Sequence, residues 1–276
     1  MTRTPARPLN DGHAIPAVGL GTWPLDDDAA EKAVAGALGL GYRLLDTAMN
    51  YRNETGTGRG IACGGVPRED VFLTTKVPGR HHGYEETLAS FEESRGALGV
   101  EYVDLYLIHW PLPRVDKYVD TWRAMIKLRE DGLVRSIGVS NFTAAHLDRL
   151  ERETGVLPAV NQIEMHPLLV QDELRAVHAA KGIVTESWSP LARGRDVLDA
   201  PETVAVAAAH GVSSGQAVLR WHTQLGAVPI PKSADPGRQR ENLDLFGFEL
   251  TPREMARIAA GPQRRFGGDP DVHEEF

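Results

Sequence analysis

Asp46 ends the apolar run of "GYRLLDTAMNYRNE" (41–54), Tyr51 follows five positions later, Lys76 sits inside "VFLTTKV" (71–77) and His109 closes "VDLYLIHW" (103–110). Each has an ordinary use: Asp46 as a helix N-cap, Lys76 as a surface charge, His109 as a hydrogen-bonded core histidine, Tyr51 as a packing residue with a wet hydroxyl. Together they mean more, because a lysine within an apolar run must reach solvent or meet an anion. A carboxylate at the same level of the next strand would supply that anion. An ammonium held there favours the phenolate of Tyr51 and so lowers a pKa that starts near 10, giving a usable proton donor. His109 across the opening would hydrogen-bond a substrate oxygen. The set suits protonation of a carbonyl oxygen while another species attacks the carbon. It implies no serine or cysteine nucleophile, and no metal-ligand cluster is expected; His81 and His82 of "RHHG" read as a solvated loop.

The attacking species is expected to be a hydride, because "PIPKSADPGRQRENLDLF" places Lys232 and Ser233 at a strand end and Arg238, Glu241 and Asn242 at a helix start. Helix N-termini and basic side chains bind phosphates. Two cations are more than a ribose hydroxyl needs, which argues for a 2'-phosphate and hence NADPH. An exposed, merely charged helix start is the alternative for this segment alone. "GTGRG" (56–60) lacks the spacing of a dinucleotide fingerprint and reads as a helix start with small residues for close packing.

Positioning these groups needs a scaffold, and eight short apolar runs recur along the chain: 17–23, 42–48, 71–77, 103–110, 134–141, 158–164, 182–190 and 226–233. Stretches with helical spacing that stop at glycine lie between them. This order predicts a parallel sheet, and eight units match a closed (β/α)8 TIM barrel within the α/β class, whose chemistry gathers at the C-terminal strand ends. Asn10-Asp11-Gly12 predicts a β-hairpin over 1–16 capping the barrel bottom, and 262–276 reads as a C-terminal loop or tail, so 1–276 is expected to be one domain.

With 276 residues, 42% hydrophobic and 25% charged, the chain can bury a large core. Its net charge of -8 is dispersed, without a basic block, so neither nucleic acid nor an anionic membrane is an expected partner. Cys63 is the single cysteine, which fits a reducing compartment, and neither a leader h-region nor a membrane-length apolar run is found. A cytoplasmic monomer acting on a small molecule is expected.

The run of motifs "GYRLLDTAMNYRNE", "TTKV", "LIHWP", "IGVSNF", "NQIEMHP" and "IPKS" followed by "RQREN" resembles the aldo-keto reductase family, most of all its bacterial branch of 2,5-diketo-D-gluconate reductases, over nearly the whole chain. The resemblance implies hydride transfer from NADPH to an aldehyde or ketone. It implies a tetrad of Asp46, Tyr51, Lys76 and His109 with Tyr51 as acid, and nicotinamide carboxamide contacts from Ser140, Asn141 and Gln162. Trp188 would stack on the nicotinamide. Gly21, Thr22 and Trp23 match the first loop at the cofactor and substrate mouth, and Ser189 and Leu191 match positions near the pyrophosphate. Lys232, Ser233 and Arg238 match the 2'-phosphate and adenine end, joined by Glu241 and Asn242. Asp235 stands where relatives often carry a further arginine, which weakens the expected preference for NADPH over NADH. Trp23, Met49 and Trp110 are expected to line an aromatic substrate mouth suited to small dicarbonyls, aromatic aldehydes and ketones, and keto-sugar acids, with Arg264 and Arg265 the candidates for a carboxylate clamp. An NADPH-holding sensor or scaffold, and a barrel hydrolase or lyase with a Schiff-base lysine, are the competing classes.

Overall fold

The computed structural model describes residues 4–194 and 196–275; the first three residues of the expected hairpin segment and Phe276 of the tail lie outside them. Strands β1 (Ala6–Pro8) and β2 (Ala14–Pro16) pair antiparallel, and Gly12 takes the left-handed conformation in the loop between them. Eight parallel strands follow: β3 (Leu20–Gly21), β4 (Leu44–Asp46), β5 (Phe72–Val77), β6 (Val103–Ile108), β7 (Val134–Ser140), β8 (Val160–Glu164), β9 (Val184–Trp188) and β10 (Val228–Pro229). They neighbour one another in chain order from β3 to β10. The two ends then meet, because Gly19 N donates to Pro229 O and Gly21 N to Pro231 O, both at 3.1 Å. Each of the eight apolar runs read from the sequence holds one strand.

The outer layer is α1 (Asp27–Leu40), α2 (Glu54–Cys63), α3 (Tyr84–Leu98), α4 (Tyr118–Glu130), α5 (Ala144–Thr154), α6 (Asp172–Lys181), α7 (Pro201–His210), α8 (Ser214–Gln224), α9 (Pro236–Leu243) and α10 (Pro252–Ile258). Local chemistry bounds them. Asp26 caps α1 by accepting from Ala29 N at 2.8 Å, and Gly41 stops it at φ 110°. Ser213 with Gln216, and Thr251 with Glu254, form reciprocal capping boxes at α8 and α10. The "GTGRG" glycines lie in α2 and are packing residues: a Cβ at Gly56 would come within 2.0 Å of Asp27 O, and one at Gly58 within 2.1 Å of Leu98 O.

All six residues of β6 are buried, since helices cover one face and the barrel interior the other, which is why the run lacks polar alternation. Leu44, Leu105, Leu107, Val160, Val228 and Ile230 fill the interior with Leu9 and Ile15 from the hairpin segment. Ile15 has no exposed surface, so the hairpin closes the barrel floor. No helix among the described residues is long and apolar enough to cross a membrane.

Candidate active site

The C-terminal ends of the strands surround a cavity of about 800 Å³. Asp46 is the last residue of β4, Lys76 lies in β5 and His109 directly follows β6, where its N–H donates to Val77 O at 3.1 Å. The parallel register pairs Asp46 with Thr74, so Lys76 lies two residues further along the neighbouring strand and its long side chain reaches back. Lys76 Nζ donates to Asp46 Oδ1 at 2.7 Å and Oδ2 at 2.9 Å, to Thr47 O at 3.0 Å, and reaches the Tyr51 hydroxyl at 3.4 Å. Tyr51 is carried there by the short turn after β4, and its ring meets that of His109 edge-on with centroids 5.7 Å apart.

The everyday alternatives for these residues are thereby answered. Asp46 spends its carboxylate on Lys76 and Gln162, not on a helix cap, and Lys76 is 1% exposed. His109 faces the cavity and is not a core histidine. Burial acts against the Lys76 ammonium, but Asp46 and Tyr51 more than compensate, so its pKa stays above the ordinary value.

Tyr51 departs from expectation. Burial raises its pKa more than Lys76 lowers it, and Asp46 and Glu275 add to the rise, leaving it pushed up to about 12. Asp46 offsets much of the ammonium's field, so the phenol holds its proton.

Behind the pair lies a second carboxylate. Gln162 Nε2 donates to Asp46 Oδ2 at 2.7 Å and to Glu186 Oε2 at 2.6 Å. Burial, and next the charge of Asp46, hold the Glu186 pKa well above the usual carboxylate range. With both amide hydrogens committed, Gln162 can only accept from a ligand in the cavity. Glu186 was legible as a charged residue inside an apolar run, the same signal that singled out Lys76.

Gly21, Trp23, Trp110, Ser140, Asn141, Trp188, Ser189, Leu191, Lys232 and Arg238 also line the cavity. Trp188 Nε1 donates to Asn141 Oδ1 at 2.8 Å, which fixes the indole plane. Asn141, at φ 64°, donates through Nδ2 to His109 O and Ser140 Oγ, both at 3.0 Å. Lys232 and Arg238 carry no side-chain ion pair among the described residues.

Five expected contacts stand off the cavity wall. Thr22 is fully buried and donates to Asp46 O at 3.1 Å, and the Met49 sulfur accepts from Ser90 Oγ at 3.5 Å. Ser233 Oγ donates to Asp235 O and accepts from Asp235 N. Glu241 is exposed and Asn242 buried on α9, neither reaching the wall. Asp235 caps α9, accepting from Arg238 N at 2.8 Å, so its charge occupies the helix N-terminus beside the two cations. Arg264 pairs with Asp196, and Arg265 lies 3.8 Å from Glu164; neither is a carboxylate clamp in this cavity. His82 is buried at 3% exposure, in contrast to the expected solvated loop.

The tail docks across the open face. Glu164 accepts from Phe266 N at 2.7 Å and Gly267 N at 2.8 Å, the His273 ring lies 4.0 Å from that of Trp110, and Glu275 Oε1 lies 2.8 Å from His109 Nδ1. Gly79 makes room, since a Cβ there would lie 2.1 Å from Glu275 O. Nothing in the tail's own sequence signals this docking; Glu164, a carboxylate in "NQIEMHP", was the readable half.

The sequence and the fold have known counterparts. The profile of the Aldo/keto reductase family matches residues 17–261. A 2,5-diketo-D-gluconic acid reductase B from Corynebacterium sp. is 51% identical over 277 residues, covering 100% of both chains. An aldo-keto reductase from Mycolicibacterium smegmatis is 53% identical over 268 residues, covering 97% of each. The crystal structure of a Gox0644 mutant in complex with NADPH superposes with a TM-score of 0.94 at 43% identity, covering 98% of this chain and 99% of that one. The chain thus belongs to the aldo/keto reductase family.

Proposed function

We propose that this protein reduces aldehydes and ketones to alcohols with NADPH, Tyr51 acting as the general acid. The observation that carries the reading is the Tyr51 hydroxyl at the cavity wall, 3.4 Å from a buried ammonium that is itself clamped by Asp46. When bound, the dihydronicotinamide supplies a hydride to the carbonyl carbon. Tyr51 and His109 hold the carbonyl oxygen between them, and Tyr51 releases its proton to that oxygen as negative charge develops. An alkoxide is a far stronger base than a phenolate, so a phenol near 12 still donates downhill, and it stays protonated between turnovers. Lys76 stabilises the phenolate left behind, while Asp46 keeps Lys76 aimed.

The cavity suits the cofactor. Trp188, pinned by Asn141, offers an aromatic face for a nicotinamide ring, and Ser140, Asn141 and Gln162 supply polar atoms for its carboxamide. Gly21 and the Ser189–Leu191 backbone flank the path toward Lys232 and Arg238, which would hold the 2'-phosphate. Thr22, Ser233, Glu241 and Asn242 would act from behind this wall, and the NADPH complex of the Gox0644 mutant supports the cofactor assignment. Trp23 and Trp110 form an apolar substrate mouth with Met49 packed behind it, suited to small dicarbonyls, aromatic aldehydes and, by likeness to the Corynebacterium reductase, keto-sugar acids. The protein is expected to act as a cytoplasmic monomer.

The test is NADPH oxidation followed with methylglyoxal, an aromatic aldehyde and a keto-sugar acid, alongside quenching of NADPH fluorescence. Quenching with consumption is the expected outcome. Quenching without consumption across a broad carbonyl panel would replace the reductase with a nucleotide-holding sensor or scaffold.

A further inference from the structure

Within the reacting end of the cavity, Glu275 is a carboxylate that the reduction itself does not use. It lines the same wall as Tyr51, His109 and Trp110, and its Oε1 lies 2.8 Å from His109 Nδ1. Its Oε2 has no hydrogen-bond partner among the described residues. Burial opposes its charge, but His109, with Asn50 and the Gly79 N–H, outweighs that and keeps the group below the usual carboxylate range, hence ionised at neutral pH.

The segment bearing it is held in place. Asp269 O accepts from Val272 N at 3.1 Å and His273 N at 2.7 Å, and Arg114 reaches Glu274 at 3.4 Å. The His273 ring, tilted against that of Trp110 at 4.0 Å, completes the anchor. The negative charge is therefore held beside His109.

Several of the cations around the mouth are already paired with carboxylates. Lys76 is paired with Asp46 and Arg264 with Asp196, while Arg265 lies 3.8 Å from Glu164. Arg193 lies over the Trp23 ring at 5.3 Å.

We propose that Glu275 is a specificity-determining residue that turns away substrates whose carboxylate is bonded directly to the reacting carbonyl carbon, and so selects uncharged aldehydes and ketones. This deepens the carbonyl-reductase reading and rests on it. With the ketone oxygen of a 2-oxo acid between Tyr51 and His109, its carboxylate would enter the cavity that Glu275 lines, where like charges in a partly desolvated site repel. A carboxylate several carbons from the reacting ketone escapes this, so a keto-sugar acid reduced far from its acid end is not turned away.

Benzoylformate and its methyl ester test the idea, since they share one ketone and differ in charge. The acid-to-ester ratio of kcat/KM should rise at least about tenfold in Glu275→Gln and further in Glu275→Lys. The change belongs in KM, because the repulsion acts on bound substrate and transition state alike. A ratio that stays level or falls in both variants overturns the proposal. Absence of ester reduction by the wild-type protein would instead remove the underlying reductase reading. In that event tryptophan-fluorescence titration of the NADP-loaded protein with the same acid and ester still reads the relative affinities, which must move the same way in both variants.

Discussion

The two ends of the cavity handle charge in opposite ways. At the reacting end, Asp46, Lys76, Gln162 and Glu186 are each 4% exposed or less; Asp46 bonds Lys76 and Gln162 bonds Glu186 between adjacent strands, and Gln162 reaches Asp46 across the barrel. At the far end, Asp235, Arg238 and Glu241 are exposed around the start of α9, where water and salt screen them. The same side-chain chemistry thus has large consequences inside the barrel and modest ones at its rim. On the proposed function, reactivity would be set where charges are dry and cofactor choice adjusted where they are wet.

The largest effect should come from breaking the dry end. Lys76→Met leaves Asp46 buried without its cation, and urea unfolding should show a loss of about 3–5 kcal/mol. A loss under about 1 kcal/mol would mean that water reaches Asp46 and that the two ends are less different than their burial indicates.

Tyr51→Phe keeps the ring and removes only the proton. Steady-state turnover of an aldehyde should fall by at least about 100-fold, with cofactor affinity nearly constant. Ordinary turnover in this variant would remove Tyr51 from the acid's role.

Glu186 gives the dry end a pH signature. Its folded pKa is raised from 4.5 to about 8, burial being the main cause and Asp46 the next. The folded chain therefore binds the extra proton, so this contribution to stability is complete below the unfolded value and is lost as pH rises through that window. Unfolding curves should show the stability of wild type relative to Glu186→Gln declining as pH climbs across it. A difference independent of pH would place Glu186 in a wetter setting than its contacts imply.

The smallest effect belongs to the rim. Asp235→Ser keeps an oxygen to cap α9 and removes a negative charge beside Lys232 and Arg238. The NADPH-to-NADH ratio of affinities, read by fluorescence titration at low salt, should rise about two- to fivefold, the scale of a screened charge at a helix N-terminus. An unchanged ratio would show that the carboxylate points away from the phosphate.

The sequence by itself determined the eight strands, the helices between them and the four groups Asp46, Tyr51, Lys76 and His109. These rest on local signals: apolar runs, glycine stops, and a charged residue where a run should stay apolar. Adjacent parallel strands then bring Asp46 and Lys76 together with little further choice. Tertiary structure alone decided that Glu275 meets His109, that Glu164 pins the tail, and that Gln162 links Asp46 to Glu186. It also reversed the expected direction at Tyr51, because a pKa is a balance between burial and field, and burial exists only once the chain has packed. Contacts between residues far apart in the chain leave no periodic mark on either partner, so they become visible only when the barrel has closed.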